Sequence, residues 1–192
     1  MSDPGTPTLS PMASAIIAAA AYDRLTVSGA TPPAARELLG GVAPQQLLSS
    51  PIADAPAARA MLAGLWLRHD ALDESHNISQ SLATPDGSFW HAIMHRREGD
   101  FSNAKYWYAR CRHHPALEQI PALARATLGE AARGALHGVI DRGAWDPDAF
   151  VDAVEATHRD PDDPLHAAAV RLQQVEWRAL FDSCLRAAAG RR

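Results

Sequence analysis

The stretch "AARAMLAGLWLRHDALDESHNISQSL", Ala57–Leu82, decides the fold: it holds no proline, and Ile78 is its single β-branched residue. Apolar residues recur at spacings of three and four, the period of a helix with one face turned inward. The spacing predicts one long helix from Asp54 or Pro56 until "TPDG", Thr84–Gly87, breaks it. Working outward, "FWHAIMHRRE" reads as a helix capped by Ser88 and ended by Gly99, and "NAKYWYARCR" as another stopped by "HHP". Upstream, "TPPAARELLGG" starts on Thr31 as N-cap. Downstream, "DPDAFVDAVEATHR" starts on Asp146 with Pro147 in the first turn. No segment reads as a convincing strand. The chain is therefore expected to be all-α, a single-domain irregular helical bundle of about six to eight helices. It should span residues 13–190 after a disordered lead, 1–12.

Composition narrows the function. A chain of 192 residues with 47% apolar content can bury one real core. Eighteen basic against twenty-two acidic residues give a net charge of −4, without the basic excess of a phosphate-backbone binder. Nucleic acid is thus not an expected partner. The apolar run from Ala15 to Tyr22 is too short to span a bilayer, so no membrane is expected either. The two cysteines, Cys111 and Cys184, lie far apart and suit a reducing cytoplasm. Alanine-rich outer segments such as "LRAAAG" leave self-association as a further expectation.

The chemistry follows from helical phase. Leu62, Leu65 and Trp66 share a face, and on one continuous helix His69, Asp73, His76 and Gln80 extend it, so a polar stripe faces inward. Buried polar groups need partners. In the next block His91, His95 and Glu98 fall at i, i+4 and i+7. Two antiparallel helices carrying such triplets would converge on one divalent metal, zinc, iron or manganese, with His69, Asp73, His91 and His95 as ligands. His76, Glu98 and Tyr106 are then the acid–base candidates. Arg96, Arg97, Lys105 and Arg110 form a local positive field suited to an anionic small molecule. The alternative for the imidazoles is a satisfied structural network, and for the cations a solvated face balanced by Asp86, Glu98 and Asp100. Of the neighbouring aromatics, Trp107 is expected in the core and Tyr106 at the site. Cys111, among Arg110, Arg112 and His113, is a minor candidate for a low-pKa nucleophile.

"RHDALDESH" resembles the all-α HD-domain phosphohydrolases through the doublet His69-Asp70, although that family's pattern takes a further histidine from an earlier helix and none precedes position 69. Asp73 and His76 resemble half of a ferritin-like di-iron motif, without the second Glu-x-x-His. Over residues 60 to 185, "HDALDESHNISQ", "GSFWHAIMHRREGDFSNAKYWY", "WDPDAFVD" and "EWRALFD" resemble a group of bacterial and fungal proteins with no known activity. That resemblance implies one coherent domain and no mechanism. Trp145 and Trp177, in the last two motifs, are expected in the core.

The residues point to an enzyme that activates water through a metal or imidazole, a hydrolase or lyase acting on a small phosphorylated or carboxylated compound. The rival is a non-catalytic helical domain that binds an anionic metabolite or a protein partner.

Overall fold

The computed structural model describes residues 7–141 and 143–191. Ten α-helices occur among them. The first three are α1 (Pro11–Ala18), α2 (Pro33–Leu39) and α3 (Ala55–Arg68). A central group follows, α4 (Leu72–Ser79), α5 (Pro85–Glu98) and α6 (Phe101–Ala109). The last four are α7 (Pro115–Thr127), α8 (Glu130–Ala135), α9 (Pro147–Thr157) and α10 (Pro164–Ala188). The architecture is the expected all-α single domain, with one small departure. A two-residue hairpin, β1 (Ile140–Asp141) paired antiparallel with β2 (Ala144–Trp145), joins α8 to α9.

The number of helices exceeds the expectation, in part because the deciding stretch forms two of them. The chain leaves α3 at His69, and Asp70 takes φ 60° in the left-handed region, which Asp tolerates better than most residues. Arg97 holds this turn: its guanidinium donates to the Leu67 carbonyl at 2.6 Å and to Asp70 at 2.6 Å. "TPDG" starts a helix instead of breaking one. Thr84, not Ser88, caps α5 by accepting from the Gly87 N–H at 3.1 Å. Gly87 serves close approach, since a Cβ there would meet the Leu82 carbonyl oxygen at 2.4 Å. Asp146 caps α9 and Pro147 opens it, as expected. Thr31 does not cap α2; its hydroxyl donates to Glu74.

Residues 1–6 of the expected disordered lead lie outside the described residues. The rest of it is docked: the Ser10 N–H donates to Leu47, the Ser49 N–H to Thr8, and α1 already begins at Pro11.

α5 is the axis of the bundle, packed by α3, α4, α6 and α10. Every residue from Phe89 to Arg97 is therefore buried, the flank of His91 and His95 as well as the flank of Trp90, Ile93 and Met94. The apolar flank is tight, because a Cβ on Gly64 of α3 would fall 2.6 Å from the Trp90 ring. Trp177 of α10 donates its indole N–H to the Gly64 carbonyl at 2.8 Å and stacks on Phe181. Trp177 and Trp145 are both core residues, as expected.

Candidate metal centre

α4 and α5 form a helical hairpin, and α5 and α6 form a second one turned at Gly99, whose φ of 90° requires no side chain. Helical spacing then aligns polar positions on three neighbouring helices. His76 and Gln80 lie one turn apart along α4 and its C-cap; Ser88, His91, His95 and Glu98 run along α5; Asn103, Trp107 and Arg110 run antiparallel to them along α6 and its end.

The middle of this trench holds three imidazoles. The rings of His76 and His91 have centroids 4.7 Å apart, His76 and His95 5.5 Å, and His91 and His95 4.7 Å. One nitrogen from each lies within 4.8 Å of the other two. Tetrahedral zinc with bonds of about 2.0–2.1 Å sets its nitrogens about 3.3 Å apart, so the rings need to draw in by at most about 1.5 Å from the separation observed.

His91 is the centre of the cluster. It is 3% exposed, and neither ring nitrogen has a hydrogen-bond partner among the described residues. Its ring lies between Trp107, 4.0 Å away at 20°, and His95. Burial, then the neighbouring His95 and His76, push its pKa down to about 4. The imidazole is thus held neutral, the form that ligates metals.

His95 is oriented from outside the cluster. Its Nδ1 lies 3.1 Å from a Glu98 carboxylate oxygen, and its Nε2 lies 3.0 Å from the Asn103 amide nitrogen. The carboxylate can only accept, so Nδ1 carries the proton and Nε2 accepts from the Asn103 amide, a lone pair that a metal would take over by displacing that amide. A carboxylate behind a histidine is the usual support of a metal ligand. Burial lowers the His95 pKa, and Glu98 opposes that effect. His76 is half-buried and gives the cluster its open side.

The expected ligand set is therefore corrected in two members. His69 donates its Nε2–H to the Ile16 carbonyl at 2.9 Å, and Asp73 is exposed in the first turn of α4. The turn at Asp70 rotates α4 relative to α3, so the phase that brought His69 into line with His76 does not hold, and Asp73, although on the same helix as His76, faces solvent. His76, expected as an acid–base group, takes the place beside His91 and His95.

The expected anion receptors are corrected as well. Arg96 is fully buried, paired with Glu176 at 2.5 and 3.1 Å and donating to the Tyr108 hydroxyl at 2.5 Å. Arg97 is fully buried on Asp70. Lys105 forms an ion pair with Asp152 on the surface. Arg110 alone of the four has no carboxylate partner among the described residues; it lies over the Trp107 ring and donates to the Tyr106 hydroxyl at 3.3 Å. Tyr106 is 56% exposed beside it. The aromatic expected in the core, Trp107, covers His91, while Tyr108 is the buried one. Cys111 is buried, its thiol directed at the Trp107 and Tyr108 carbonyls, and burial pushes its pKa up to about 12, contrary to a reactive thiolate.

Sequence reasoning missed Asn103 and the supporting role of Trp107. Their spacing of four on α6 matches His95 and His91 read in reverse, a signal available once α5 and α6 are recognised as a hairpin. No helix among the described residues is long and apolar enough to cross a membrane. No family model matches the chain, and comparison with curated proteins and with solved structures likewise finds no match.

Proposed function

We propose that His76, His91 and His95 bind one divalent transition metal and that the chain is a metal-dependent hydrolase or lyase acting on a small anionic compound. The observation that carries this reading is His91: a buried imidazole whose two nitrogens have no partner among the described residues is costly unless something binds it, and two further imidazoles each bring a nitrogen within 4.8 Å. Three imidazole ligands favour zinc or iron over manganese, which prefers carboxylates. Three protein ligands also match a catalytic site, where the fourth position holds water. The metal, when bound, supplies Lewis acidity and lowers the pKa of that water to about 7. The chain's own residues do the rest: Glu98 fixes the His95 tautomer, Trp107 shields His91 from solvent, and His76 borders the accessible side. A reducing compartment suits the two free cysteines.

A second reading is favoured by the stack of Trp107, His91 and His95, which is an aromatic contact in its own right. On that reading the domain is non-catalytic and binds a metabolite or partner. Zinc titration against a chromophoric chelator separates the two. The metal reading expects one equivalent per chain and a loss of at least about a hundredfold in affinity in His76→Ala and His91→Ala. Weak zinc binding that both variants leave unchanged would support the second reading.

A further inference from the structure

We propose that the groove bounded by Gln80, Ser88, Trp107 and Arg110 receives the anionic group of the substrate, with Arg110 as its receptor; this rests on the metal reading above and extends it. The groove has a volume of about 560 Å³ and is completed by the α4–α5 connection, Leu82 to Pro85. Its position follows from the trench. Gln80 lies one turn beyond His76, Ser88 one turn before His91, and Arg110 one turn beyond Trp107, so the groove is the layer next to the imidazoles on all three elements. A helical turn is about 5.4 Å, which sets the separation between the two layers. Trp107 is the wall they share, stacked on His91 and lining the groove.

The chemistry of the groove is that of an anion site. Arg110 is exposed, and its guanidinium lies 5.3 Å from the Trp107 ring centroid and 5.7 Å from that of Tyr106, an arrangement that steadies the planar group while leaving donors for an incoming acceptor. The Gln80 amide and Ser88 hydroxyl add neutral donors. Among the described residues no acidic side chain lines the groove. The occupant is a carboxylate or phosphate whose reacting group lies about one helical turn away, at the imidazoles.

Nuclear magnetic resonance titrations test this in two arms. In chelator, acetate and inorganic phosphate should shift the Trp107 indole and Gln80 amide signals saturably, and Arg110→Gln should weaken both about tenfold. The control Arg171→Gln should change neither. With zinc loaded, glutarate, whose carboxylates stand about one turn apart when extended, should bind more tightly than acetate, and Arg110→Gln should abolish that advantage while leaving zinc affinity within about twofold. Failure to bind zinc with the first arm intact would overturn the metal reading and leave the anion groove standing. Zinc binding with anion shifts indifferent to Arg110→Gln would overturn the groove alone.

Discussion

Replacing Glu176 with Gln tests whether Arg96 belongs to the framework of the fold. Both side chains are fully buried and joined by two contacts, at 2.5 and 3.1 Å, and the Tyr108 hydroxyl donates to the same carboxylate at 2.5 Å. The Phe150 ring lies 4.4 Å from the guanidinium carbon, and Arg96 Nε has no partner among the described residues. Glu176→Gln therefore leaves a cation in the core without its counter-charge. Breaking a buried pair in this way costs about 3–5 kcal/mol, a large share of the roughly 5–15 kcal/mol that holds a domain of this kind together. The double variant Arg96→Met with Glu176→Leu removes both charges and should recover most of the loss, because desolvation offsets much of a buried pair's attraction. Urea unfolding of the wild type, Arg96→Met, Glu176→Leu and the double variant gives the coupling energy directly, with Glu176→Gln measured beside them. A single-variant cost below about 1 kcal/mol, the range of exposed pairs, would refute the reasoning, as would a double variant no more stable than Glu176→Gln.

The chelated protein should lose stability in mild acid. His91 has a folded pKa pushed down from 6.5 to about 4, and burial moves His69 and His95 in the same direction. The folded state therefore binds fewer protons than the unfolded one, so stability is full above pH 6.5 and declines as pH falls toward 4, by about 3 kcal/mol from His91 alone. Unfolding midpoints followed across that range should fall in the wild type and fall less in His91→Phe; parallel curves would contradict the assignment. Gly64→Ala should destabilise by about 1–3 kcal/mol through overpacking against Trp90, and an unchanged urea midpoint would show that α3 and α5 are not this close. Glu98→Gln should weaken zinc binding about 10- to 100-fold with little change in fold stability, because Glu98 is more than half exposed; unaltered zinc affinity would remove its orienting role.

The parts of the site that were legible were those set by local period. His91 and His95 share a face at i and i+4, and the block that carries them is helical whatever surrounds it. His69 and Asp73 went astray because "RHDAL" contains neither proline nor glycine, and the left-handed conformation at Asp70 is held by Arg97, 27 positions away. No local signal marks such a turn. Arg96 and Arg97 misled for a related reason: arginines are seldom fully buried, and the partners that make it feasible, Glu176 for Arg96 and Asp70 for Arg97, lie 80 and 27 residues away. Thr84 and Gly87 were visible as turn chemistry, but proline after an N-cap opens a helix as readily as it ends one.

The central claim is that one metal sits among three imidazoles. X-ray absorption at the zinc edge, on protein carrying one equivalent of zinc, measures this directly. Zinc held by His76, His91 and His95 gives three imidazole nitrogens and one oxygen at about 2.0–2.1 Å, with one imidazole lost in each of His76→Ala, His91→Ala and His95→Ala. A first shell containing sulfur, dominated by carboxylate oxygen, or unchanged in His91→Ala would contradict it.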